Sequence, residues 1–320
     1  MSAAGVNAIG RPPHTPPELE GVLKKAARRE WVFIGFMLSI IVSVAIVMGS
    51  SQTMKALWVE DTLSLVPSIA FLVGVHFRKK KPDEAYPYGY RRAVSVGFLC
   101  GAVALCGFGI FMVGDSGLSL LKAEHATIPT ISLFGMQIWM GWFMLAAIIY
   151  SIIPPLVFGR LKVPLARKLH DKALAVSAEL NKGDWMSGIA GVVGILGLTY
   201  GLWWADSAAA LFISVEIIRD GYRNLRNSVA QLMNKRPTDI ESQKEDPVID
   251  DLQHALEKLD WVEKARVRLR EDGDLLTGEA YLQVRDQRNL LDNLEEARKV
   301  TDEVDWRLYD VSMVPVRSVD

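Results

Sequence analysis

LWVEDTLSLVPSIAFLVGVHF, residues 57–77, and ALAVSAELNKGDWMSGIAGVVGILG, residues 173–197, decide the reading of this chain. Each is long enough, at ~20 residues or more, to cross a hydrocarbon layer ~30 Å thick as a helix. Each also holds acids inside the apolar run, Glu60 in the first and Asp184 in the second. A charge near the bilayer centre costs about 2.5–3.5 kcal/mol on insertion scales, so it is kept only with a partner, water or a cation. Acids on spanning helices therefore point to an ion pathway rather than a soluble core.

Working outward, six apolar segments stand out, at roughly 31–50, 57–77, 93–114, 133–158, 173–201 and 202–220. The first starts thirty residues in and has no small-residue cleavage site, which disfavours a removable signal peptide. The last two are interrupted by Glu179, Lys182, Asp184, Asp206 and Glu216. Hydrophobic residues make up 50% of the chain and charged residues 23%, too many for membrane segments alone, so a soluble part is expected. A net charge of −1 gives no sign of nucleic-acid binding. Cys100 and Cys106 share an apolar segment at a spacing that does not bring them face to face on a helix, and read as packing residues.

Basic residues set the orientation. Lys24, Lys25, Arg28 and Arg29 precede the first segment, and Arg78, Lys79, Lys80, Lys81, Arg91 and Arg92 lie between the second and third. Arg160, Lys162, Arg167, Lys168 and Lys172 lie between the fourth and fifth, while Arg219, Arg223 and Arg226 close the sixth. The intervening loops are poor in Lys and Arg. The positive-inside rule then puts both termini in the cytoplasm, and a multi-pass protein of an inner membrane is the expected setting. The expected organisation is a cytoplasmic tail over 1–30, a six-helix transmembrane domain over 31–225, a linker over 226–246 and a cytoplasmic domain over 247–320. That last domain reads as αββαβ. Helical spacing of Ile249, Leu252, Leu256 and Leu259 is followed by two alternating strands around EDGD, a second helix and a final strand, YDVSMVPVR. The fold class expected is an all-α membrane domain with a small α+β, ferredoxin-like domain packing its helices on one face of a sheet.

Six spans, cytoplasmic termini and a trailing αββαβ domain resemble the cation diffusion facilitator family of divalent-metal/proton antiporters. Specific residues carry the resemblance from about Trp31 onward. Glu60 in ALWVEDTLSLV meets the acidic position of the second segment. The loop motif Asp-x-x-His-x-x-Gly-His-Gly-Lys is echoed by Asp83, Tyr86, Gly89, Tyr90 and Arg92 in DEAYPYGYRR. The fifth-segment signature Ala-Asp-Ala-x-His-Asn-x-x-Asp is echoed by VSAELNKGD, with Asn181 and Asp184 in the matching places.

The resemblance implies a homodimer and a four-ligand site with two residues on each of segments two and five, spaced i, i+4 on one helix face. Carried over, these positions are Glu60 and Ser64, then Leu180 and Asp184. Leu180 is no ligand, and Asn181 offers a carbonyl oxygen one position on. Asp61 and Glu179 are further acids within reach of a modest helix rotation. The expected metal set is Glu60, Ser64, Asn181 and Asp184, with Asp61, Glu179 and Asp83 as lesser candidates. Such oxygen donors lean toward manganese or iron(II) over zinc, which favours imidazole and thiolate. At the loop site only Asp83 survives of the family's ligands, and in the last domain the ligand positions fall near Ala265, Tyr281, Val314 and Val316. No permanently bound cofactor is expected.

Each acid also has a plainer reading. Glu60 and Asp61 suit a helix N-terminus near the interface, Asp184 a buried ion pair, and Asn181 interhelical bonding. Ser64 suits packing, Asp206 an interfacial position beside Trp203 and Trp204, and Glu216 an interfacial charge cluster with Arg219 and Asp220. Two functions follow. One is export of a divalent cation in exchange for protons, with the metal, protons and lipid bilayer as partners. The other is a degenerate, non-transporting dimeric scaffold or regulatory subunit. No phosphate-cradling loop, nucleophile constellation or redox motif points to an enzyme.

Overall fold

The computed structural model describes residues 16–78, 80, 83–124, 128–133, 136–239, 244–286 and 288–319; the side chains at 133 and 182–184 lie outside that description. Asp184, the start of the amino-terminal tail and part of the linker therefore fall outside it in whole or in side chain. Two compact units divide the chain: residues 22–72 with 96–228, and residues 73–95 with the carboxy-terminal part from 229.

The first unit is built on long helices. They are α1 (Pro17–Val47), α2 (Gln52–Leu63), α3 (Leu65–Phe77), α4 (Ala93–Leu121), α5 (Gly141–Leu169), α6 (Lys172–Thr199) and α7 (Ala205–Leu232). Four stretches are long and apolar enough to cross a membrane: 17–47, 52–77, 93–121 and 141–169. Helices α6 and α7 match them in length, at 28 residues each, but carry the charges noted above. Phe33, Met37, Ile40 and Val44 recur every three or four residues along α1 and are fully buried, whereas Leu38, Val42 and Ile46 on its other side are exposed. A helix apolar on both its inner and outer faces has lipid, not water, as its outer solvent.

Two apolar stretches depart from the sequence reading. The apolar stretch placed at 133–158 opens instead with an antiparallel strand pair, β1 (Thr130–Leu133) and β2 (Met136–Trp139), with Ile131 opposite Ile138. Hydropathy does not separate an alternating strand from a helix start, and the helix proper runs on to Leu169 through Pro154, Pro155 and Pro164. The second apolar rod is broken at Ser64, because Pro67 has no amide for the Leu63 carbonyl and its ring crowds that oxygen.

Asp206 is fully buried rather than interfacial. Its carboxylate accepts from Ser51 Oγ at 2.6 Å, the Gln52 amide at 2.7 Å and the Thr53 amide at 3.2 Å. Ser51 in turn accepts from the Met54 amide, so the orphan amides that open α2 are satisfied by an acid on α7. Glycines let α6 approach its neighbours. A Cβ on Gly191 would stand 2.8 Å from Leu57 of α2, and one on Gly194 would stand 2.8 Å from Thr53 of α2 and Ala209 of α7.

The second unit ends in α8 (Val248–Glu257), β3 (Val262–Asp272), β4 (Leu275–Val284), α9 (Leu290–Val304) and β5 (Leu308–Val316), the helix–strand order read from the sequence. The sheet runs β3-β4-β5, with β3 antiparallel and β5 parallel to β4. Ile249, Leu252 and Leu256 of α8 and Ala297 of α9 bury against Ala265, Val267, Leu269, Ala280 and Leu282 of the sheet. The β3–β4 turn meets the segment between α3 and α4. Arg78 and Arg91 each reach Asp274 at 3.2 Å, and Arg92 lies 3.6 Å from Asp272.

Asp206→Ala should lower stability by at least about 2 kcal/mol, since a helix cap and charged hydrogen bonds are lost together. The melting temperature of the purified protein reads this, and Asp206→Asn should lose less. Burial, against the pull of Arg92 and Arg91, holds the Asp272 carboxyl above its usual 3.8. The fold therefore favours the protonated form, and stability from this group falls as pH rises from 3.8 through the raised value. Asp272→Asn should melt higher than the parent at neutral pH and equal it below about pH 3.8.

Candidate functional site

Helix α2 presents Glu60 and Asp61 in its last turn, just ahead of the break at Ser64. The Ser64 hydroxyl donates to the Asp61 carbonyl at 2.8 Å, so it helps close that broken turn. Asp61 is buried beside it. Helix α6 passes α2 with residues 177, 181, 184 and 187 on successive turns.

Ser187 joins three helices. Its hydroxyl lies 2.7 Å from Glu60 Oε1 on α2 and 3.0 Å from Glu216 Oε2 on α7. Ser187 itself is almost fully buried. A hydroxyl has one proton to donate. Two carboxylate oxygens, one from each neighbouring helix, share that hydroxyl, which ties α2, α6 and α7 together.

Asn181 is buried next to this turn. Its amide, oriented to satisfy both neighbours, donates from nitrogen to the Ser177 carbonyl and accepts at oxygen from Lys162 Nζ, each at 3.2 Å. Leu180 is buried. Glu179 is exposed and pairs with Arg223 at 3.0 Å, away from Ser187. Asp83 belongs to the other unit. It accepts from the Ala85 and Tyr86 amides at 3.1 and 2.9 Å and from the Tyr90 hydroxyl, where the family motif has histidine. The Tyr90 bond, then the Tyr86 amide, hold its carboxyl below the ordinary range. Among the described side chains no group of three or more His, Cys, Asp or Glu is placed to hold a metal.

Two participants escaped the sequence reading. Glu216 sits in ALFISVEII, an acid in an apolar run like Glu60, and the same criterion would have found it. Grouping it with Arg219 and Asp220 as interfacial hid it. Ser187 gives no local signal, because its partners lie 127 and 29 residues away.

The model of the cation efflux transmembrane domain matches residues 31–233. The chain belongs to the cation efflux, or cation diffusion facilitator, family. It is 26% identical over 178 residues to the manganese efflux system protein MneS of Bacillus subtilis (strain 168), covering 56% of this chain and 57% of that one. With MneP of the same organism, also a manganese efflux system protein, identity is 23% over 276 residues, 83% and 86% of the two chains. With metal tolerance protein 7 of Oryza sativa subsp. japonica it is 22% over 236 residues, 72% and 57%. The chain thus spans little more than half the length of MneS and most of MneP. As a member of that family it is a multi-pass membrane protein.

Ser187→Ala should leave Glu60 and Glu216 facing each other without the shared hydroxyl. The expected cost is about 1–3 kcal/mol, read as a lower melting temperature. Adding Glu216→Gln should recover most of it, because one charge is gone and an amide donor has arrived.

Proposed function

We propose that this protein exports a divalent metal cation from the cytoplasm in exchange for protons. The observation that carries the reading is the convergence of Glu60 and Glu216 on Ser187, one turn beyond Asp184 on α6. Glu60 and Asp184 bind the ion, Glu216 and Ser187 complete its surroundings, and Asp61 and Ser64 stand beside it on the broken turn of α2. Asn181 is read as an anchor for α6, since Lys162 and the Ser177 carbonyl use its amide. Deprotonated carboxylates take the ion from the cytoplasmic side. Protonation on the outer side releases it, because the same oxygens hold either metal or protons. An all-oxygen set favours manganese or iron(II) over zinc, and the manganese efflux names of MneS and MneP support that lean. The accompanying architecture is six spans in an inner membrane, both termini cytoplasmic, a ferredoxin-like last domain and a homodimer.

A second reading, a dimeric scaffold that no longer transports, draws on one observation: Leu180 is buried where the family pattern has a ligand.

Isothermal titration of the detergent-solubilised protein with manganese, iron(II), zinc, cobalt, cadmium and magnesium separates the two. Transport predicts one preferred ion, lost in Asp184→Ala and in Glu60→Gln, with the dimer intact on size exclusion. Loss of a buried charged ligand pair should weaken binding at least about a hundredfold. No heat with any ion, or binding untouched by Asp184→Ala, would turn the assignment to the scaffold.

A further inference from the structure

Lys162 counts as a loop residue in the charge pattern, yet on α5 it is fully buried. Its ammonium lies 3.0 Å from Glu30 Oε2 of α1, itself fully buried, and 3.5 Å over the ring of Phe33. It donates to Ser177 Oγ at 2.9 Å and to the Asn181 amide oxygen at 3.2 Å, both on α6. Ser177 Oγ lies 3.1 Å from Ser68 Oγ of α3. Gly159, one turn before Lys162, lets the α5 backbone close on the same place, where an added Cβ would stand 3.1 Å from Asn181 Cβ. One turn of α6, Ser177–Asn181, is thus held from α3 and α5, with Glu30 of α1 behind Lys162.

Stability alone does not account for this arrangement. Apolar residues of similar volume often serve as well as a buried ion pair or better. An apolar side chain cannot, however, donate in fixed directions to Ser177 and Asn181. An ammonium has three protons, and here it donates to Ser177 and Asn181 and faces the Glu30 carboxylate as an ion pair. What the pair adds is the rotational setting of α6 at the turn that runs into residue 184.

We propose that Lys162, neutralised by Glu30, is a positioning residue for the ion site: it fixes the Ser177–Asn181 turn of α6 and so the angular position of residue 184. The role rests on the reading that Asp184 and Glu60 bind the transported cation. Lys162 itself touches no ion.

The test uses the full-length protein. Lys162→Met alone strands a buried Glu30 and is expected to fold poorly, so the informative variant is Lys162→Met/Glu30→Gln, neutral at both positions. It should keep a melting temperature near that of the parent. Manganese affinity should fall by about tenfold, as for loss of one aligned hydrogen-bonded contact, with KM for uptake into proteoliposomes raised more than kcat is lowered. Lys162→Gln/Glu30→Gln restores an amide donor toward Ser177 and Asn181 without charge and should recover most of the affinity. A merely structural role would move the melting temperature and leave KM alone. Unchanged affinity in the Met/Gln variant, or no recovery in the Gln/Gln variant, overturns the proposal. Asp184→Cys, in a Cys100→Ser/Cys106→Ser background, gives a readout that needs no metal. Its labelling by a charged water-soluble thiol reagent should change when Lys162→Met/Glu30→Gln is added. Should the parent bind no ion at all, the site reading fails, and this labelling still decides the positioning role: an equal rate in both backgrounds overturns it.

Discussion

A charged group inside an apolar helical domain is tolerated only when something answers its charge, and in this protein that constraint selects which helices meet. Asp206 is answered by the amides and hydroxyl that open α2, Glu30 by Lys162, and Glu60 and Glu216 both meet the hydroxyl of Ser187. Each arrangement joins helices far apart in sequence: α7 to α2, α1 to α5 and α6, α2 to α6 and α7. Dispersion between apolar side chains gives little preference for one neighbour over another when lipid is the alternative. Directional bonds to buried charges give a strong one, because leaving any of them unmade costs the full desolvation of the group.

The three arrangements differ in how completely they are answered. Asp206 has three donors in good geometry and is a closed structural joint. The Lys162 ammonium donates to Ser177 and Asn181 and meets Glu30 Oε2 as an ion pair, although neither Glu30 oxygen has a hydrogen-bond partner among the described residues. Around Ser187 two carboxylates from different helices converge on one hydroxyl, at 2.7 and 3.0 Å, within the stretch that the cation efflux family model matches.

Local periodicity made the long helices and the small sheet domain legible, down to the strand pair flanking EDGD, because burial on one face imposes a repeat of 3.6 or 2 residues. Glu60 was legible because an acid in an apolar run is expensive wherever its partner lies. The partners were not legible. Ser187 and Asp206 take their roles from contacts 127 and 155 residues away, which no window along the chain contains. Lys162 misled for a specific reason. Counting basic residues near segment ends treats each as solvated, whereas α5 continues as a helix to Leu169 and carries Lys162 inward. At the loop motif, where Tyr90 stands in a histidine position, the Tyr90 hydroxyl donates to Asp83 while its ring stacks on Phe77, so the turn is closed by a direct bond where the family motif would offer metal ligands.

These features combine on α6. Its turn at 177–181 is fixed by Lys162, its turn at 187 by two carboxylates, and its face at 191–194 by close glycine packing on α2 and α7. Residue 184 lies between the first two anchors, one turn from each. The two anchors are unlike in kind. The first joins α6 to a buried ion pair between α1 and α5, while the second joins it to carboxylates on α2 and α7. The backbone at 184 is therefore bracketed by turns tied to different helices, and no single neighbour sets its position.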